Sequence, residues 1–167
     1  MATGGGRVEA IFIGSDRQGP LHAEDQVDVV PGKGIRGDRY FLAQGTYSDI
    51  DEPGRDLTLF EAEALDGLLA DTGIELAPNE IRRNVMTRGI ALNALVGRHF
   101  RVGEVEGVGV ELCQPCNHLQ KMTKPGVLDG LVDRGGLRAD VVKGGMISVG
   151  DAVEDLGPAE HSSRTPR

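Results

Sequence analysis

The stretch His99–Leu112, which reads HFRVGEVEGVGVEL, decides the fold. Apolar residues alternate with polar ones on both sides of Gly103, which is the pattern of short strands separated by a glycine. Similar runs recur at Arg7–Ile13, Gln26–Val30, Asp56–Phe60, Glu80–Met86, Gly136–Val142 and Met146–Val149. Because these strands do not alternate regularly with helices, we expect a mainly β fold, a β-barrel of short strands with a few peripheral helices.

The helices are expected to be few and to serve packing. One is predicted from an apolar stripe at helical spacing that Gly73 can end, consisting of Ala62, Leu65, Leu68 and Leu69. Shorter helical segments are predicted at Ala91–Val96 and Lys124–Val132, and a polar loop at Leu42–Pro53. Residues 1–156 are expected to form a single domain, followed by a disordered tail at 157–167 that is polar and contains two prolines.

Composition excludes several classes of partner. The chain has 167 residues, enough to bury a core without a disulfide scaffold. Acidic residues outnumber basic ones by 26 to 18 and the formal charge is −8, which disfavours nucleic acid and membrane partners because both attract a basic face. The first residues lack the apolar run of a signal peptide, and free-looking cysteines suit a reducing compartment, so we expect a cytoplasmic protein.

Both cysteines of the chain lie in one segment, Glu111–Leu119, which reads ELCQPCNHL. A structural zinc would need two more ligands than this Cys-x-x-Cys supplies; His118 is near, and His22 and His99 are remote candidates. A thioredoxin-like dithiol would need the pair at the start of a helix in a βαβ unit, whereas here it follows a run of strands.

Two further interpretations of the cysteine pair remain. A single working thiolate, supported by the other cysteine, suits molybdenum, copper(I) or a persulfide. Alternatively both thiols only fill space, which free cysteines often do; Cys113 at the end of an apolar strand fits this better than Cys116, because Pro115 places Cys116 in a loop or helix start.

Two other clusters favour anion binding. The glycines of Gly34-x-x-Gly37-Asp38-Arg39 allow sharp turns that can expose backbone amides, although a plain turn between strands explains them equally well. The segment Ile81–Gly89 carries Arg82, Arg83 and Arg88, and arginine suits bidentate binding of phosphate or carboxylate. Strand alternation would place only part of this segment on a pocket face.

Taken in order, these stretches resemble the MOSC domain, the module at the C-terminus of molybdenum cofactor sulfurases that also occurs as stand-alone bacterial proteins. The matching segments are Gly34–Tyr40 (GIRGDRY), Asp56–Leu59 (DLTL), Arg83–Leu92 (RNVMTRGIAL), Leu95–Gly103 (LVGRHFRVG), Cys113–Leu119 (CQPCNHL) and Gly144–Asp151 (GGMISVGD).

The resemblance implies a β-barrel and a cofactor site. In the related amidoxime-reducing enzymes the second cysteine of a similar Cys-x-x-Cys segment binds molybdenum, and this position falls on Cys116. Those enzymes hold the pterin phosphate with arginine and asparagine from a region that looks like Arg83-Asn84. The remaining site residues that we assign are Thr87, Gly37 and Arg39 as cofactor contacts, Cys113 as a supporting or resolving thiol, and Asp38 as a group that positions substrate or a proton.

Three functions follow as hypotheses. In the first, the domain binds the molybdenum cofactor and catalyses two-electron oxo transfer or the reduction of an N-hydroxylated small molecule, with electrons from a separate donor. In the second, Cys116 carries a persulfide received from a cysteine desulfurase. In the third, the domain is a non-enzymatic cofactor-binding module. No pyridoxal phosphate is expected, because the sequence shows no counterpart of the sulfurases' pyridoxal-phosphate domain, nor of the reductases' N-terminal companion domain.

Overall fold

The computed structural model describes residues 5–15, 20–38, 41, 56–113, 123 and 125–159, without the side chains of Leu128 and Asp129. The predicted loop at Leu42–Pro53 lies outside these residues, as do Arg39 and Cys116. No helix within the described part is long and apolar enough to cross a membrane.

Strands dominate the described residues. They are β1 (Gly6–Ile13), β2 (His22–Glu24), β3 (Gln26–Val30), β4 (Gly34–Ile35), β5 (Leu57–Glu61), β6 (Val85–Arg88), β7 (Arg98–Val102), β8 (Val105–Leu112), β9 (Leu137–Lys143), β10 (Gly145–Ser148) and β11 (Ala152–Pro158). The helices are α1 (Ala62–Thr72) and the short α2 (Val127–Gly130), with 3-10 turns at Pro78–Ile81 and Leu92–Leu95.

Seven strands close into a barrel in the order β11-β7-β8-β9-β5-β6-β1, because β1 also pairs with β11. Closure removes the exposed edges that an open sheet would present. The strand β2 pairs with β1 beside the ring, and β10, β3 and β4 form a separate small sheet. The structure confirms the predicted β-barrel of short strands with peripheral helices.

One pair in the barrel, β5 and β6, is parallel. Parallel neighbours need a crossover, and α1 supplies it on the outside of the barrel. The helix ends where the sequence indicated, at Gly73, whose N–H donates to the carbonyl of Leu69. Ala62 and Leu68 are buried whereas Leu69 is about half exposed, so the predicted packing stripe is confirmed except at its last member.

Two apolar clusters account for the core. The first takes residues from every strand of the barrel and from the small sheet, with Phe100, Leu59 and Leu137 among its fully buried members, so it fills the barrel. The second packs α1 and α2 against the outer surface through Phe60, Met86 and their neighbours. Alternation of strand side chains between the two faces produces this division.

Three sequence boundaries are corrected. The predicted strand Glu80–Met86 begins only at Val85, because Pro78 starts a 3-10 turn and Arg82 then adopts a left-handed conformation with φ of 63°. The helix predicted at Lys124–Val132 is limited to α2 among the described residues. The last described strand continues to Pro158 and so includes the first two residues of the predicted tail; residues 160–167 lie outside the described part.

An ion pair between β7 and β11 predicts how stability depends on pH. The Nε of Arg98 donates to both carboxylate oxygens of Asp155 (3.0 and 2.9 Å), and this contact, reinforced by the N–H of Gly157, lowers the pKa of Asp155. Because the pKa of Asp155 is lower in the folded than in the unfolded state, the ion pair stabilises the fold at neutral pH. This stabilisation is lost as the pH falls through the folded-state pKa.

We therefore expect Asp155→Asn to lower the free energy of unfolding at pH 7 by about 1 kcal/mol. The difference from wild type should shrink as pH falls below about 4. Urea unfolding of both proteins across this range measures it, with Glu154→Gln, an exposed pair partner of Arg101, as the weaker control. A difference that stays constant with pH would contradict the assignment.

Candidate functional site

The predicted cysteine strand and the predicted arginine segment meet at the start of β9. The N–H of Cys113 donates to the carbonyl of Gly136 (2.7 Å), and the Nε of Arg83 donates to the carbonyl of Gly135 (3.2 Å). Two adjacent glycines thus join segments that lie 30 residues apart in the sequence. Cys113 itself is buried with a free thiol, as expected for the end of an apolar strand.

Arg83 carries a positive charge that no carboxylate among the described residues neutralises. Toward the described residues its guanidinium donates only to backbone carbonyls, those of Gly135 and Ile81. Other arginines of the described part form hydrogen-bonded carboxylate pairs, namely Arg36, Arg88, Arg98, Arg101 and Arg134. In a chain with excess acid, an arginine held away from carboxylates is suited to bind an external anion.

Asn84 holds the arginine segment in place. Its Nδ2 donates to the carbonyl of Phe12 (2.9 Å), and its Oδ1 accepts the hydroxyl of Thr58 (3.0 Å). Its backbone N–H donates back to the Thr58 hydroxyl (3.0 Å) and its carbonyl accepts the N–H of Phe12 (2.7 Å). The side chain is buried, and its hydrogen bonds connect β1 and β5 to the start of β6. The predicted phosphate contact of Asn84 stays a prediction.

Sequence reasoning missed Arg138 at this place. On the antiparallel β5–β9 pair, Arg138 stands directly opposite Thr58, so their Cβ atoms are about 5 Å apart. We call Thr58, Arg83, Asn84 and Arg138 the arginine patch. The available signal was weak: Arg138 and Asp140 alternate with Leu137, Ala139 and Val141, but alternation alone does not distinguish a solvated outer face from a site.

Asp38 lies near the same end of β1. It is buried, and its Oδ1 accepts the N–H of Gly14 (3.1 Å), two residues after the carbonyl that Asn84 binds. The preceding Gly37 has φ of 87°, in the turn that follows β4. Thus Asp38 and Asn84 both fix the β1 terminus.

Other predicted residues lie apart from the patch. Thr87 is fully buried on β6, and its hydroxyl donates to the carbonyl of Phe60 (3.4 Å). Arg88 lies in a cleft of about 210 Å³ beneath α1, where it binds Glu9 and Asp66. These two hydrogen bonds raise the pKa of Arg88 further. The predicted arginine cluster is therefore divided, with Arg83 at the patch and Arg88 in the cleft.

The histidines do not assemble a metal site in the described part of the chain. His22 is exposed and lies 2.9 Å from a carboxylate oxygen of Glu24, and His99 lies 3.1 Å from Glu106. No group of three or more His, Cys, Asp or Glu side chains that could hold a metal ion occurs among the described residues. His22 and His99 therefore do not support the zinc interpretation.

Comparison with known families decides the classification. The MOSC domain profile matches residues 45–154, about two thirds of the chain. The chain belongs to the MOSC domain family. The match includes both cysteines and the whole arginine patch of this MOSC protein. No curated protein matches the chain.

Solved structures support the MOSC fold at low sequence identity. The YuaD protein from Bacillus subtilis superposes with a TM-score of 0.74 at 16% identity, covering 89% of this chain and 94% of its own. YiiM from Geobacillus stearothermophilus gives 0.68 at 14% identity, covering 90% and 75%. YiiM from Escherichia coli gives 0.65 at 16% identity, covering 92% and 71%. At such identities these likenesses concern the fold.

Proposed function

We propose that this MOSC protein binds the molybdenum cofactor and catalyses the two-electron reduction of N-hydroxylated small molecules, with electrons from a separate donor. Cys116 would be the metal ligand, and Arg83 would contact the pterin phosphate. The observation that carries the proposal is the uncompensated guanidinium of Arg83, which lies against the same glycine pair as the cysteine segment.

The described donors fit the phosphate end of such a cofactor. Arg83 binds only backbone carbonyls, and Arg138 on the same patch makes no hydrogen bond to a described residue. Guanidinium groups with unsatisfied donors match the oxygens of a phosphate. Cys116 is three residues beyond Cys113, outside the described part, and its role as ligand comes from the family's Cys-x-x-Cys pattern.

The chain's own residues would bind and orient. The hydrogen bonds of Asn84 fix the backbone beside Arg83, so this arginine lies on an anchored segment just before β6. Asp38, buried at the end of β1, is assigned to position the substrate or to hold a proton there. The bound cofactor would supply the two-electron chemistry at molybdenum.

The two cysteines provide a matched test. We expect Cys116→Ala, produced in a host that makes molybdenum cofactor, to lose both molybdenum and reduction of an N-hydroxylated base by reduced viologen. Cys113→Ala, which changes a buried packing residue, should keep most of both. Metal analysis, pterin fluorescence after oxidation and viologen oxidation measure this. Full molybdenum content in the Cys116 variant would refute the ligand assignment.

The remaining outcomes distinguish the other functions. If neither wild type nor variants contain molybdenum, the sulfur-carrier function is tested by incubation with a cysteine desulfurase and intact-mass analysis. A sulfur carrier should gain the mass of a single sulfur atom, and Cys116→Ala should not. Molybdenum that is retained without turnover would indicate a cofactor-binding module. The burial of Cys113 argues against its acting as a resolving thiol, because exchange needs an accessible sulfur.

A further inference from the structure

Arg138 on β9 is half-buried, although arginine is mostly exposed in proteins. Its side chain is only 20% exposed. In the barrel register it lies between Thr58 of β5 and Glu111 of β8. The strands on both sides therefore fix its stem, and the direction of its guanidinium is set by the sheet.

One donor of this guanidinium, the Nε, lacks a hydrogen-bond partner among the described residues. Its Nε is buried without a hydrogen bond, and Glu111, the acidic neighbour, stays 3.7 Å away with its own side chain 57% exposed. By contrast, Arg98 is more exposed and still binds both oxygens of Asp155. A buried donor without a hydrogen bond is costly, and the ion pair with the exposed Glu111 is too long to satisfy it, so the retention of Arg138 indicates a function other than stability.

The surroundings of Arg138 indicate what would bind it. Thr58, directly opposite, is hydrogen-bonded to Asn84, which is the neighbour of Arg83 in sequence. Arg138 and Arg83 thus flank one Thr58–Asn84 pair, and neither has a hydrogen-bonded carboxylate among the described residues. An anion bound beside this pair would be attracted by both cations.

We propose that Arg138 is a second oxyanion-binding residue of the arginine patch and takes a phosphate or carboxylate group of a bound small molecule. The planar fork of arginine matches the paired oxygens of either group. The group has two possible sources, the phosphate of the cofactor or an acidic substituent of the substrate. Only this choice of source rests on the proposed function; the oxyanion site itself does not.

The first experiment uses the protein freed of cofactor and inorganic phosphate as the probe. We expect Arg138→Gln to weaken phosphate binding, measured by titration calorimetry, about tenfold or more. The matched control is Arg101→Gln on β7, whose arginine pairs with exposed Glu154 and should leave phosphate affinity unchanged. No phosphate binding by wild type, or equal affinities in the two variants, would overturn the proposal.

Urea unfolding separates a binding role from a structural one. Arg138→Gln removes an unsatisfied Nε and a long ion pair with an exposed carboxylate, which contributes little, so its stability should equal or exceed that of wild type. An arginine with a structural role would cost stability when replaced. A destabilised variant whose phosphate affinity is normal would assign Arg138 to the fold and contradict a binding role.

The loaded protein then identifies the source. A fall in pterin and molybdenum content in Arg138→Gln points to the cofactor phosphate. Unchanged content with KM raised for an acidic N-hydroxylated substrate, but not for a neutral one, points to the substrate. Both results require the cofactor-loaded protein, so a failure of the proposed function leaves the phosphate titration intact as the test of Arg138.

Discussion

Replacing Gly136 with alanine is expected to destabilise the protein by about 4 kcal/mol, or to prevent folding. Gly136 has φ of 114°, which an L side chain rarely adopts, and a Cβ built there would overlap the carbonyl oxygen of Leu59 on β5. The glycine also accepts the N–H of Cys113, so the backbone cannot move away without breaking this contact. Equilibrium unfolding in urea, or the soluble yield if the variant does not fold, measures the effect.

Gly150 provides the matched control because it also has a positive φ but no atom lies close to the position of a Cβ. Its φ is 94°, and a Cβ there would have no atom within 4 Å. Gly150→Ala should therefore lower the free energy of unfolding by about 1 kcal/mol, the cost of holding alanine at a positive φ. Equal losses in the two variants would mean that the contact between β5 and the start of β9 is looser than the structure shows.

The second large effect concerns Asn84. We expect Asn84→Ala to lower the free energy of unfolding by about 3 kcal/mol, because the change leaves the buried carbonyl of Phe12 and the hydroxyl of Thr58 without the side-chain partner that each has in the wild type. The loss should be accompanied by weaker anion binding at Arg83, whose backbone position depends on the same contacts. Urea unfolding and phosphate titration measure the two effects.

An exposed asparagine gives the comparison. Asn93 donates from Nδ2 to the carbonyl of Asp133 (2.8 Å) at the surface, where water can replace the lost bond. Asn93→Ala should therefore cost well under 1 kcal/mol and leave anion binding unchanged. A comparable loss at Asn93 would show that burial is not what makes Asn84 important.

Much of the fold could be predicted from local patterns. The alternating runs became strands, and the stripe near Leu68 became α1, because both periodicities report which face is buried. The closure of the barrel could not be read from the same patterns, since it depends on β1 pairing with β11 across nearly the whole chain. The strand was predicted to start too early, at Glu80, because Arg82 adopts a left-handed conformation. This conformation is uncommon for arginine, so the sequence does not indicate it.

The site was predicted less completely. Arg83 could be singled out from its arginine-rich context, but that context also includes Arg88, which the structure places in a separate ion-paired cleft. Arg138 was missed because its importance comes from register: only the pairing with Thr58 brings it to the patch. The predicted roles of Cys116 and Arg39 fall on residues outside the described part and stay predictions.

The pairing that closes the barrel has a consequence for biosynthesis. The outer edge of β7 is covered by β11, the last described strand, and β11 also pairs with Gly6 and Arg7 of β1. While the chain emerges from the ribosome, β7 therefore presents five residues of unpaired strand until β11 has left the exit tunnel. Ring closure over so long a separation is also slow. The nascent chain is thus most exposed to aggregation just before β11 emerges, when nearly all of the barrel core has already been synthesised.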